Sequence, residues 1–197
     1  MKDGELLTKW TGVEADIRAE SKILARCRAS SELCPPAAQN FLAIIVDGRA
    51  HTGRARIGVI NRAINLAIRP TIDLENRWTA PLATLTTDRG DCKDYAIAKY
   101  VALIEAGVSE DDVKFVIVRN LAANEDHAVV AARLDGRWMM LDNRWLALVE
   151  DSEMQRVIPL FVLDQSGVKR YWPSAMPQVT ASATRANTAA APASLSR

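Results

Sequence analysis

Few side chains in this sequence suit metal or nucleophilic chemistry: two histidines and three cysteines among 197 residues. No short Cys/His ligand spacing and no evident fourth ligand are present, which argues against a tetrahedral zinc site. No apolar run approaches the roughly 20 residues needed to span a bilayer. The formal net charge of +1 shows no basic excess, so a general nucleic-acid-binding surface is excluded. The opening residues, Met1-Lys2-Asp3-Gly4-Glu5, contain no apolar signal region. That leaves a cytoplasmic protein or the processed form of an exported one.

What is present suits one domain with a full core: 49% hydrophobic and 25% charged residues. Residues 1–172 read as that domain, with 1–52 as its helical N-terminal part. Residues 173–197 are rich in Ala, Ser, Thr and Pro. They offer too little apolar surface to offset ordering entropy and read as a disordered tail.

The cysteines separate by position. Cys27 and Cys34 bracket a polar segment with Pro35-Pro36 behind it, a loop long enough to close as a disulfide. A bridge implies an oxidising compartment and favours a periplasmic or exported protein. The alternative, three buried and reduced thiols, goes with the cytoplasm. Cys92 stands alone and is the reactive candidate.

Cys92 lies in Asp88-Arg89-Gly90-Asp91-Cys92-Lys93-Asp94-Tyr95, just where a helical pattern begins. Asp91 suits an N-cap, and Asp94 three residues later suits the reciprocal capping arrangement. A helix N-terminus favours negative charge, so a cysteine there is disposed toward the thiolate. Ala96, Ile97, Tyr100, Val101, Leu103 and Ile104 make this helix apolar over a wide arc up to Gly107. It is therefore expected to be buried, with its tip at a cleft.

Upstream, Leu6, Trp10, Val13, Ile17 and Leu24 predict a helix over 4–27. A short helix should start at Pro35-Pro36 and end near Gly48, and a third should run from Gly53 to the stop at Pro70. Residues 71–87 show no sustained period. Trp78 there reads as a core aromatic covering the next helix, or alternatively as a cleft wall. Downstream the pattern is strand-like at 113–118, 126–134, 137–142, 157–163 and 168–172.

Asp135-Gly136 between two apolar runs signals a two-residue hairpin loop. Leu134 then pairs with Arg137, and Asp142 falls opposite Val129. By the period of two, His127, Val129 and Asp142 share a face, with His127 and Asp142 as diagonal neighbours. His51, the other histidine, sits in a polar turn between helices. A carboxylate orients an imidazole, and an imidazole takes the proton of a helix-tip thiol. Cys92, His127 and Asp142 are therefore the candidate catalytic residues for acyl transfer. His127 as a satisfied core histidine is the plain structural alternative.

The stretches Gly90-Asp91-Cys92-Lys93-Asp94-Tyr95, Glu125-Asp126-His127-Ala128-Val129 and Leu141-Asp142-Asn143 resemble those of bacterial transglutaminase-like cysteine peptidases. The similarity runs from about Asn61 to Trp172. It implies an α+β, papain-like core in which a nucleophile-bearing helix packs on an antiparallel sheet. It also implies Cys92 as nucleophile, His127 as general base and acid, and Asp142 as orienting carboxylate. Some members clip surface adhesins in the periplasm and use calcium held by acidic residues flanking the cysteine. Here Asp91 and Asp94 are present, but Lys93 stands where an acidic residue is typical. A lysine supplies no oxygen ligand and repels the ion, so no cofactor is expected. The expected activity is a thiol peptidase acting on a protein substrate. Its rivals are an acyltransferase with the same triad and a non-catalytic binding module.

Overall fold

The computed structural model describes residues 3–171 except 31, 33 and 74. The expected tail at 173–197 lies outside the described residues.

Three helices open the chain: α1 (Asp3–Ala29), α2 (Pro36–Ala50) and α3 (Gly53–Ala67). Leu6, Trp10, Val13 and Leu24 form the buried stripe of α1, as their spacing predicts. Trp10 is the largest of them. Its ring meets Trp78, Tyr100 and Phe115, and its indole N–H donates to the Asp164 carbonyl at 3.0 Å. Burying a ring of this size contributes on the order of 3 kcal/mol, and the hydrogen bond removes the penalty of hiding its polar tip. A disulfide joins Cys27 and Cys34 between α1 and α2.

The stretch without period contains a helix, α4 (Pro81–Thr87), flanked by two-residue strands β1 (Arg69–Pro70) and β2 (Arg89–Gly90) that pair in parallel. Seven residues are too few to show a helical period. The helix is secured from a distance instead: the Glu20 carboxylate of α1 accepts the N–H groups of Leu82 and Ala83 at 2.7 and 2.9 Å. That satisfies first-turn donors which its own N-cap, Ala80, cannot.

Helix α5 (Cys92–Glu105) runs through the centre, buried nearly all round. Six antiparallel strands follow: β3 (Val113–Asn120), β4 (Glu125–Leu134), β5 (Arg137–Leu141), β6 (Val149–Glu150), β7 (Val157–Asp164) and β8 (Gly167–Arg170). They are ordered β6-β5-β4-β3-β7-β8. The fold is thus α+β, with helices packed on one face of an antiparallel sheet. Val130, Ala132, Phe115 and Leu141 meet the helices. Val116, Val118, Val129, Ala131 and Met140 form a smaller apolar cluster on the other face.

The β4–β5 hairpin has the register the Asp-Gly turn predicts, Leu134 opposite Arg137 and Val130 opposite Leu141. Asp135 and Gly136 both have positive φ, 51° and 79°. That conformation matches the right-handed twist of the strands, and Gly136 adopts it without steric cost. Among the described residues, no helix is long and apolar enough to cross a membrane.

Candidate active site

Cys92 occupies the first position of α5, held by caps on both sides. The Asp91 carboxylate accepts the Lys93 N–H at 3.1 Å, and the Asp94 carboxylate accepts the Asp91 N–H at 3.1 Å. This is a complete capping box. It directs the helix N-terminus at Cys92, which is half-buried and the free cysteine among the described residues. Gly90 makes the box possible. A Cβ there would come within 2.9 Å of the Asp94 Cβ and 3.3 Å of its Oδ2.

The other Asp94 oxygen accepts the backbone N–H and the hydroxyl of Thr79, at 3.1 and 2.5 Å. The segment leading to α4 is thereby fastened to the tip of α5. Its Trp78 serves both roles the sequence allows. The ring packs on Trp10 and Phe115, and it also lines a cleft of about 260 Å³ with Cys92, Lys93, Ile117, Asp126 and His127.

His127 and Asp142 are buried and adjacent: His127 Nε2 lies 3.0 Å from Asp142 Oδ1. Cys92 lines the same cleft as this imidazole and bears on its charge. Burial alone would lower the His127 pKa, but Asp142 and Cys92 outweigh it and raise the value from 6.5 to about 9. The imidazolium is thus the favoured form at neutral pH. For Asp142, burial opposes the charge. The donors from His127 and Arg144 prevail and hold the carboxyl well below the usual carboxylate range.

Parity puts His127 with Val129, whose side chain packs in the cluster away from α5. Cys92 packs on the helix side. Both line one cleft, beside residues 125–129 of β4, which pair with β3 alone because β5 stops pairing at Leu141. A register shift between Ile117 and Val118, directly opposite His127, adds local twist there.

Several residues of this site are invisible to motif reading. Arg144 grips Asp142 with Nε at 3.1 Å from Oδ1 and Nη2 at 2.8 Å from Oδ2, while its backbone N–H donates at 2.9 Å. The signal was an aspartate closing a strand two residues before an arginine, an Asx-turn arrangement. Asn65 of α3 donates to the carbonyls of Asp142 and Trp145, and Asn61 to those of Trp145 and Leu146, fixing the turn that carries Asp142. Lys99, on α5, is fully buried, and among the described residues its Nζ has no hydrogen-bond partner. Burial draws its pKa down to about 7, with the Asp142 charge opposing the fall. His51 lies remote from the cleft, its ring Nδ1 at 2.9 Å from the Asp47 carbonyl.

Among solved structures the chain is similar to Legionella pneumophila LapG, at 18% identity and a TM-score of 0.63, over 76% of this chain and 86% of that one. An EGTA-treated form of LapG gives 0.65 over 79% and 87%, and a calcium-bound form 0.51 over 68% and 92%, both at 18% identity. At this identity the likeness establishes the fold. No protein with a curated description matches the chain.

The Lys93 ammonium sits against Asp91 and lies 3.3 Å from Asp73. Among the described residues no group of three or more His, Cys, Asp or Glu is arranged to hold a metal.

The family described as bacterial transglutaminase-like cysteine proteinase, BTLCP, matches residues 22–157, a span from the end of α1 to the start of β7 that takes in the capped cysteine, the histidine strand and the Asp142 turn. The chain belongs to that family.

Proposed function

We propose that the protein is a cysteine peptidase working through Cys92, His127 and Asp142. The observation that carries this reading is the buried imidazole bonded to a carboxylate at 3.0 Å in the cleft that a helix-tip thiol also lines. Cys92 Sγ attacks the scissile carbonyl, and the tetrahedral oxyanion is received by the Cys92 backbone N–H and a second donor. His127 delivers its proton to the leaving amine as the C–N bond breaks, giving a thioester. It then takes a proton from water, whose oxygen attacks the thioester; the acid product leaves and the thiol is restored. Asp142 holds the imidazole in the required orientation, and Arg144 holds Asp142.

The substrate is a protein, met at the cleft lined by Trp78, Cys92 and His127. The Cys27–Cys34 bridge supports an oxidising compartment such as the periplasm. A surface adhesin or another exported protein is the substrate class that the family resemblance implies.

Alkylation of Cys92 by iodoacetamide near pH 6, followed by mass spectrometry, tests the proposal. It should be rapid in the wild type and much slower in His127→Ala. An ordinary thiol rate in the wild type would favour a binding module. Fragments that appear with the wild type and vanish with Cys92→Ala identify the substrate. New amide bonds formed under amine competition would replace hydrolysis with acyl transfer.

A further inference from the structure

We infer that Lys93 is a positioning residue whose ammonium acts as a built-in cation, fastening the wall of the cleft to the nucleophile helix in place of a divalent ion. The inference rests on Cys92 being the nucleophile. Lys93 follows Cys92 directly, yet its side chain is only 8% exposed. It turns toward Asp91, the N-cap, and toward Asp73 in the segment before α4. The Asp73 carboxylate in turn accepts the N–H groups of Glu75 and Arg77, at 3.0 and 2.5 Å. One ammonium therefore joins the helix cap to the turn that leads into Trp78, and Trp78 lines the cleft beside Cys92.

Charge accounting explains why a cation is needed there. Asp73, Asp91 and Asp94 converge on the helix tip, and Asp94 is already pushed upward by burial. Without an intervening positive charge the carboxylates of Asp73 and Asp91 would repel, and the Asp73 turn would swing away. Burial opposes the charge on Lys93, but its bonds to Asp91 and Asp73 keep it protonated beyond the ordinary lysine range. Calcium would require six to eight oxygens at about 2.3–2.6 Å. An ammonium needs only a few acceptors, and its donors are supplied by the chain itself.

Thermal unfolding and the Cys92 alkylation rate, each in millimolar EGTA, calcium or magnesium, test the assignment. The wild type should give the same Tm and the same rate in all three. Lys93→Met should lower Tm by about 5–10 °C and slow alkylation roughly threefold to tenfold. Lys93→Arg should recover most of both. Lys93→Glu, which adds a carboxylate to the group, should have a low Tm in EGTA that calcium restores. A wild-type Tm raised by calcium would overturn the inference. So would a Lys93→Met protein that matches the wild type, or a Lys93→Glu protein indifferent to calcium. The Tm measurements do not involve catalysis. An ordinary alkylation rate in the wild type would therefore sink the peptidase reading while leaving the tether to be judged on unfolding alone.

Discussion

Replacing Asp142 with asparagine keeps the size of the side chain and removes its charge, so it isolates what the carboxylate does to His127. In the folded protein His127 titrates at about 9 instead of 6.5. At 1.36 kcal/mol per unit this is roughly 3 kcal/mol of preference for the imidazolium. The asparagine oxygen still accepts a hydrogen bond, but burial then dominates, and the midpoint should fall below 6.5. With two histidines in the chain, the imidazole carbon–proton NMR signals are readily assigned against His127→Ala and followed with pH. The linked stability has a definite sign. A raised imidazole pKa contributes fully below about 6.5 and is lost as pH rises through about 9. The depressed Asp142 carboxyl contributes above the ordinary carboxylate range and is lost as pH falls below it. Urea unfolding should therefore separate wild type and Asp142→Asn most between about pH 5 and 6.5, and the gap should narrow above pH 9 to what the Arg144 bonds contribute. Arg144→Leu provides the opposite sign: removing a competing cation from the same carboxylate should move the His127 midpoint upward. A wild-type midpoint near 6.5, or one unmoved by Asp142→Asn, would refute the reasoning.

Gly90→Ala should strain the capping box, since the new Cβ would lie 2.9 Å from that of Asp94; a cost of about 1–3 kcal/mol is expected, visible as a lower Tm, and an unchanged Tm would mean the approach is not tight. Lys99→Met should stabilise the protein by roughly 4 kcal/mol at neutral pH, because a buried lysine held at about 7 instead of 10.5 costs folding energy wherever the unfolded chain would be protonated. That gain should shrink as pH climbs toward 10.5 in denaturant titrations, and no gain at pH 7 would show that Lys99 finds compensating partners. Replacing both Cys27 and Cys34 with serine should cost about 2–3 kcal/mol by the loop-entropy estimate, read as a shift in urea midpoint; free thiols at both positions in protein isolated from its native compartment would remove the case for export.

Much of this architecture was legible because local signals agreed with it. The apolar stripe of α1, Pro36 at the start of α2, the Asp91/Asp94 box and the Asp135-Gly136 turn each fix an element through its own residues. What escaped depends on partners far away in sequence. Helix α4 is capped by Glu20, sixty-two residues before Leu82, and a window-based reading cannot register that. Strand β6 has two residues and exists by pairing with Met139 and Met140. At the site, parity brought His127 to Asp142 but did not show that Cys92 shares the cleft of His127, because that depends on how α5 packs on β3 and β4. Lys93 was legible as a departure from an acidic pattern, while its engagement of Asp73 required the fold. Arg144 and Asn65 hold Asp142 and its turn, and such orienting groups leave weaker traces in a sequence than a capped cysteine does.

The β4–β5 hairpin also dictates which changes of length the protein can survive. A single residue inserted or lost in either strand between His127 and Asp142 would turn one of them to the opposite side of the sheet. Matched insertions in both strands would keep the pair opposed but carry it along by about 3.4 Å per residue, off the tip of α5. Only the Asp135-Gly136 bend, at the far end from the histidine, is free to grow without disturbing either side chain. Length variation in descendants of this hairpin should therefore collect at that bend.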